Sequence, residues 1–219
     1  MRHLLALSLL FITSAAASLE VPVDNLQSWV ILSFSKIKPN EVSVDKGEMH
    51  IAVRSSASPL IYKFEKPVRI TGFTVAASWS GALNIPPGVI QGEQGADDFV
   101  LKFGIVEAGD RRLNWLQRRI AADWIKQLFK LAPPDSGVSR INFLSTTQQK
   151  NLLGSSRTHP LSELLFENRI LYLDSTGPFE MSYDFAEPVE ALGLWLSIDG
   201  DDTGSSFDLH ISDIALRTE

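Results

Sequence analysis

Residues 199–204, which read Asp-Gly-Asp-Asp-Thr-Gly, form the first of two features whose residue types could do chemistry. Asp199, Asp201 and Asp202 bring three carboxylates together within four residues on a glycine-containing turn. Calcium takes about six to eight oxygen ligands, and such a turn can supply several of them. The spacing differs from that of an EF-hand loop. The segment therefore predicts either a calcium (Ca2+) site or a solvated hairpin in which Asp and Gly provide the turn geometry.

The second feature is a pair of tryptophans placed away from the predicted core. Trp195 lies between Leu194 and Leu196, so on a strand it points to the face opposite the aliphatic residues. A large aromatic ring on that face is suited to stacking on a sugar ring. Trp115 is the second candidate for ligand binding, because it lies off the apolar stripe of a predicted helix. The alternative for Trp195 is that the helix covers its face and that the ring packs there.

The sequence contains no strong catalytic motif. It lacks a G-x-S-x-G elbow, an H-E-x-x-H pair, a P-loop and a G-x-G-x-x-G fingerprint. His50, His159 and His210 are scattered along the chain, and we interpret them as surface histidines. Paired carboxylates for glycoside cleavage are defined by their separation in space, so spacing along the chain cannot identify them.

The elements that would position these residues are short strands, because apolar and polar residues alternate through most of the chain. The clearest alternating ladders include Met49, Ile51 and Val53, then Phe99, Leu101, Phe103 and Ile105, then Leu192, Leu194, Leu196 and Ile198. About ten or eleven such strands predict an all-β fold with two antiparallel sheets face to face, a jelly-roll sandwich. A closed barrel is the alternative.

Residues 111–131 break the alternation. Apolar residues recur there at three- and four-residue spacing, which predicts one inserted amphipathic helix that ends before Pro133. The segment carries six basic residues and one acidic residue. It either packs its apolar stripe on the sandwich or contacts an anionic membrane surface or an acidic partner. A second, shorter helix is expected at residues 160–166.

The N-terminus has the order of a secretory signal peptide: basic residues, a short apolar run and small residues up to Ala17. We therefore expect a signal peptide at residues 1–17 and one β-sandwich domain at residues 18–219, in the periplasm or, alternatively, secreted. The chain has no cysteine, so its core must hold the fold without disulfides. Its net charge of −6 argues against a nucleic acid partner.

Short motifs in the last forty or so residues carry a resemblance to a known family. They are Tyr-Asp-Phe at 183–185, Gly-Leu-Trp-Leu at 193–196, the turn at 199–204, and Ile-Ser-Asp-Ile-Ala-Leu at 211–216. In these motifs, and more loosely at Trp79 and residues 97–99, the chain resembles an uncharacterised bacterial family of exported proteins, a domain of unknown function. The resemblance implies a galactose-binding-like β-sandwich and export, and it implies no activity. Residues 111–131 depart from the family pattern.

Three functions follow as hypotheses. The first is an exported, non-catalytic binding module for carbohydrate or a cell-envelope glycan, with Trp195 and Trp115 as stacking residues. The second is a polysaccharide hydrolase or lyase that uses paired carboxylates. The third is an envelope assembly or interaction protein that docks through the basic helix. The first rests in part on analogy with other proteins of this fold class.

Overall fold

The computed structural model describes residues 17–160 and 162–219, and most of these residues form β-strands. The predicted signal peptide falls, apart from Ala17, on residues outside the described ones. In the described part of the chain, no helix is long and apolar enough to cross a bilayer. The strands, in chain order, are β1 Ala17–Glu20, β2 Trp29–Ile31, β3 Glu41–Asp45, β4 Glu48–Arg54, β5 Leu60–Ala82, β6 Phe99–Gly109, β7 Gly137–Thr147, β8 Ser156–His159, β9 Ser162–Tyr172, β10 Gly177–Asp199 and β11 Ser206–Thr218.

Hydrogen bonds join these eleven described strands in the order β3-β4-β11-β5-β10-β6-β7-β9-β8, with β1 beside β11 and β2 beside β5. Neighbouring strands are antiparallel, except that β7 and β9 run parallel. The order places strands from both ends of the chain next to each other. The sheet is therefore built mainly from pairings between residues that are distant in sequence.

The connected strands fold into two layers because β5 and β10 are long and bend. The first part of β5 pairs with the end of β10, which also pairs with β6, whereas the later part of β5 pairs with β11. The β5–β10 register shifts twice, between Asp184 and Val189 and again by Gly193, and such irregularities bend strands. Phe73 of β5 stacks on Phe103 of β6 at 4.4 Å across the interior. The predicted all-β sandwich is thus confirmed.

The main core lies between these two layers. It contains the inward-facing members of the alternating ladders, among them Met49, Phe103, Leu194 and Leu196. Each of these four side chains is fully buried. We call the layer of β3, β4, β11 and the later part of β5 the first layer. The layer of β6, β7, β9, β8 and the end of β10 is the second layer.

The insertion at residues 111–131 consists of two short helices, α1 Trp115–Ile120 and α2 Asp123–Phe129, so the prediction of one continuous helix was wrong. Ala121 and Ala122 between them have extended backbone, with ψ angles of 147° and 153°. The break separates the predicted stripe, because Leu128 is buried whereas Leu116 and Ile120 are exposed. The second helix expected at residues 160–166 was also wrong, since β9 begins at Ser162 and pairs with both β7 and β8.

Candidate functional site

The outer face of the second layer, which turns away from the main core, is apolar at one end. Trp195, Ile141 and Val106 lie there, and Leu128 and Leu131 of the insertion pack over them. Trp195 is only 3% exposed, and its ring meets that of Trp124 edge to face at 6.5 Å. The expectation that Trp195 stands free on an open face was wrong. Strand alternation placed it correctly on the outer face, but α2 covers that face.

The other end of the same face is polar and forms the floor of a cleft of about 360 Å³. Three neighbouring strands each contribute a polar side chain to this face: Lys102 on β6, Ser197 on β10 and Glu167 on β9. Gly104 is the next residue of β6 on the same face as Lys102. It leaves room for the neighbouring strands, because a Cβ there would lie 2.6 Å from the backbone oxygen of Trp195 on β10 and 2.8 Å from Phe143 Cε1 on β7. The remaining lining residues are Phe34, Pro59, Asp97, Trp124, Ile141, Phe143, His159, Ser162, Leu165 and Trp195.

Lys102 is the central charge of this cleft. Its ammonium lies 3.4 Å from Asp199 Oδ2, 3.6 Å from Asp97 Oδ1, and 4.5 Å from the centre of the Phe99 ring. Burial lowers the pKa of Lys102, but the charges of Asp199 and Asp97 outweigh that effect and raise its pKa above the ordinary value. Lys102 therefore keeps its proton and offers a fixed positive charge at the cleft floor.

The pKa values of the two aspartates beside Lys102 are shifted in opposite directions. Burial raises the pKa of Asp199 to about 6, although Lys102 and the hydroxyl of Ser197, which donates to both of its oxygens, oppose that rise. Burial also raises the pKa of Asp97, but the hydrogen bond with His159 and the charge of Lys102 prevail and leave its pKa below the ordinary value. Asp97 is therefore an ionised acceptor, and its buried Oδ1 has no hydrogen-bond partner among the described residues.

Asp97, His159 and Glu167 form a compact group at the wall of the cleft. One ligand atom from each lies within 4.8 Å of the other two, and His159 Nε2 is 3.4 Å from Asp97 Oδ2. The set contains the donor types that bind transition metals. However, Arg157 Nε lies 2.7 Å from Glu167 Oε2, and Lys102 faces Asp97. These cations lie against the two carboxylates and would repel a metal ion, so the group fits hydrogen bonding better than metal binding.

The predicted calcium ligands are not brought together on one side of their turn. Asp199 faces Lys102, whereas Asp202 Oδ2 accepts a hydrogen bond from the backbone N–H of Asp97. Burial and the charge of the nearby Asp98 raise the pKa of Asp201. Within the described residues, the three aspartates are not a group whose ligand atoms converge, whereas Asp97, His159 and Glu167 are. The calcium site stays a prediction.

The turn itself is held by a residue outside it. Asp98 is fully buried and accepts hydrogen bonds from the backbone N–H of Thr203 at 2.7 Å and from its hydroxyl at 2.6 Å. The backbone N–H of Asp202 donates to the other oxygen of Asp98 at 3.2 Å. A buried carboxylate with several donors rigidifies the loop that carries it. The turn at 199–204 thereby fixes the chain at residues 97 and 98, and so the position of the cleft wall.

Trp115 lies on α1, outside the cleft, and is 71% exposed. The structure thus separates the two tryptophans proposed as stacking residues: Trp195 is buried at the cleft wall and Trp115 is on a projecting helix. No motif or spacing in the sequence identifies Lys102, Asp97 and Glu167 as site residues. One local signal was present, since Lys102 is the only charged residue among the apolar residues 99–106.

Comparisons with known proteins show no sequence match and only weak structural similarity. No family model matches the chain, and no curated protein sequence matches it. The resemblance to an uncharacterised exported family therefore rests on its short motifs alone. Among solved structures, the chain is similar to a family 11 carbohydrate-binding module from Clostridium thermocellum in complex with a β-1,3-1,4-mixed-linked tetrasaccharide. That match has 8% identity and a TM-score of 0.43, and covers 94% of this chain and 98% of the other.

Two further similar structures are the family 29 carbohydrate-binding module CBM29-2 and the carbohydrate recognition domain of Emp47p. The first has 9% identity, a TM-score of 0.37, and coverage of 93% of this chain and 86% of the other. The second has 12% identity, a TM-score of 0.34, and coverage of 92% and 94%. At such TM-scores these likenesses carry no argument about what this chain binds, and the β-sandwich itself is established by the strand pairing and core described above.

Proposed function

We propose that the cleft on the outer face of the second layer binds a carbohydrate. The observation that carries this proposal is the combination of aromatic walls with a charge-balanced set of donors and acceptors on one cleft floor. Trp124 and Phe34 supply half-buried rings, and Lys102 and Asp97 supply the charged hydrogen-bonding groups. Ligand sites are usually mostly apolar with a few polar groups that fix orientation.

The balance of charge favours a neutral, hydroxyl-rich ligand. Lys102, Arg157 and Arg169 together offset Asp97, Asp199 and Glu167, so neither an anion nor a cation would find an uncompensated partner in the cleft. A sugar hydroxyl can donate to a carboxylate and accept from an ammonium, and charge-assisted hydrogen bonds of this kind are the strong ones. The apolar face of the sugar ring would stack on an aromatic wall. The cleft volume of about 360 Å³ suits a short saccharide unit.

The location of the protein belongs to the same proposal. The signal peptide expected at residues 1–17 supports export, and a periplasmic protein that meets envelope glycans is the form we favour over a secreted one. The absence of a strong catalytic motif supports a binding module. Fractionation of cells that express the full chain tests the location, and N-terminal sequencing of the exported protein tests the cleavage site.

The test of binding is a glycan array followed by calorimetry on the best ligand. Trp124→Ala removes one aromatic wall, and Trp115→Ala is the matched control, because it removes the exposed tryptophan of the same insertion. We expect Trp124→Ala to weaken binding by about fivefold to thirtyfold, since stacking on an aromatic ring contributes about 1–2 kcal/mol. Trp115→Ala should leave the affinity unchanged. No binding to any glycan, or equal losses for both variants, would refute the proposal.

A second candidate function has one observation in its favour. Oxygen atoms of Asp97 and Glu167 lie within 4.8 Å of each other, close to the separation of about 5 Å between the carboxyl groups of retaining glycosidases. Binding is the better supported function, because Glu167 is buried against Arg157 and Asp97 has a lowered pKa, so Asp97 is not suited to donate a proton. Release of reducing ends from the bound glycan, abolished in Asp97→Asn, would decide for hydrolysis.

A further inference from the structure

Helix α1 is unusual because it projects from the sandwich without packing on it. All six of its residues are exposed, and no residue in it is buried. Ile120, Trp115 and Leu116 are 76%, 71% and 52% exposed, and they are the three most exposed large apolar side chains of the described residues. Single exposed apolar residues are ordinary on protein surfaces, but three on one short helix indicate a surface that meets something else.

Local capping, rather than tertiary packing, holds α1 in place. The side chain of Asn114 accepts a hydrogen bond from the backbone N–H of Gln117, and the side-chain oxygen of Gln117 accepts one from the backbone N–H of Asn114. Arg118 and Arg119 lie in the last turn, where positive charge is favourable. The sequence thus stabilises a helix whose apolar residues remain in solvent.

A basic groove of about 660 Å³ lies beside α1, between the insertion and β5. It has one acidic lining residue, Glu65, and its basic lining residues are Lys63, Lys66, Arg112, Arg118, Lys126 and Lys130. Lys126 pairs with Asp123 at 3.1 Å. Among the described residues, no carboxylate lies within 4.0 Å of the charged groups of the other five. Lys63 donates instead to the backbone carbonyl of Lys130 at 2.9 Å.

We propose that α1 and this basic groove dock the protein on an anionic lipid bilayer. A helix with Trp, Leu and Ile on its surface beside Lys and Arg residues is suited to the interface, where rings and aliphatic chains enter the headgroup boundary. Each cation near an anionic surface adds to the attraction. The whole chain has a net charge of −6, so the cluster of cations without a nearby carboxylate is a local feature of this surface.

The dimensions favour a bilayer over an acidic protein partner. The apolar part of this surface consists of three side chains on a six-residue helix. The area that they expose is far smaller than the roughly 800 Å² per partner that a stable protein interface buries. A bilayer requires no such complementary surface, because it combines shallow insertion with attraction to many headgroups. The groove and the carbohydrate cleft share no lining residue, so each surface can be altered by substitutions outside the other.

The test is sedimentation of the full exported chain with vesicles of phosphatidylcholine alone and with phosphatidylglycerol added. We expect binding only to the anionic vesicles and weakening as salt rises. We expect a blue shift of tryptophan fluorescence on binding, because Trp115 is the one tryptophan in the described residues that is strongly exposed. Replacing Trp115 and Ile120 together with serine should abolish sedimentation with the anionic vesicles.

Two matched variants complete the test. Arg118→Gln with Arg119→Gln should lower vesicle binding by about fivefold for each charge removed. Val44→Ser removes an exposed apolar residue of β3 in the first layer and should leave binding unchanged. Equal binding to neutral vesicles, no binding to anionic ones, or a normal affinity in the Trp115→Ser and Ile120→Ser double variant would overturn the proposal. Binding to poly-glutamate but not to vesicles, with the fluorescence of Trp115 still that of a solvent-exposed ring, would also overturn it.

Discussion

Replacing Trp195 with alanine should strongly destabilise the protein, because its ring is a structural contact between the insertion and the sheet. The side chain is 3% exposed and meets Trp124, and a buried tryptophan removes about 200 Å² from water. At about 25 cal/mol per Å² this corresponds to roughly 5 kcal/mol, of which alanine keeps a small part. We therefore expect the free energy of unfolding to fall by about 3–5 kcal/mol, as is typical of large-to-small core substitutions.

Urea unfolding followed by far-ultraviolet circular dichroism is the suitable assay, since it does not depend on tryptophan emission. Trp115→Ala is the control, and its 71% exposed side chain predicts a change within about 0.5 kcal/mol. Trp195→Phe keeps an aromatic ring and should lose less than Trp195→Ala. If Trp195→Ala lowered the free energy of unfolding by less than about 1 kcal/mol at an unchanged slope, the ring would not be packed as described.

Three further predictions concern the turns and the surface. Asp98→Ala leaves Thr203 without its buried acceptor and should cost about 3 kcal/mol in the same assay, and a loss below about 1 kcal/mol would contradict the role of Asp98. Burial raises the pKa of Asp208, but hydrogen bonds from His50 and Arg54 outweigh it and hold the pKa below the ordinary value. The stabilisation from these hydrogen bonds is present above pH 3.8, the ordinary pKa of an aspartate, and is lost as the pH falls through the lower pKa of Asp208 in the folded protein. Asp208→Asn should therefore lower the free energy of unfolding by about 1 kcal/mol at pH 7 and by progressively less in acid. If calcium binds the turn at 199–204, the melting temperature will rise with calcium concentration in the parent and stay constant in Asp201→Asn, and a constant value in both would exclude the site.

The two-layer fold could be predicted from the sequence because alternation reports directly which residues face a core. Met49, Phe103 and Leu194 belong to predicted ladders, and all three are buried between the layers. Alternation also assigned Trp195 to the opposite face correctly. It could not report what covers that face, because the cover comes from Leu128 and Leu131, more than sixty residues earlier in the chain.

The division of the insertion into two helices had no local signal. Ala121 and Ala122 mark the break, although alanine is the best helix former. The break is therefore a tertiary effect: Leu128 packs on the second layer, whereas α1 ends before it and projects into solvent. The helix expected at residues 160–166 failed for a related reason, since pairing with β7 and β8 outweighed the local pattern.

The cleft could not be predicted because its charged residues come from separate strands and loops. Asp97 precedes β6, His159 ends β8 and Glu167 lies within β9. Only the order β10-β6-β7-β9-β8 places these segments side by side, and no spacing rule contains that order. A charged residue within an apolar strand, as at Lys102, is the one signal that a single sequence offers, and it marks a position rather than a partner.

The two helices of the insertion give it two separable roles, and this decides which variants can test them. Deletion of residues 111–131 would remove α1 and the basic groove, but it would also uncover Trp195 and Ile141, which α2 now shields. The resulting apolar patch would favour aggregation, so loss of membrane or glycan binding in a deletion variant would have no single cause. Substitutions on α1 avoid this, because none of its side chains is buried and local capping maintains it. Membrane docking is therefore testable without disturbing the wall of the cleft.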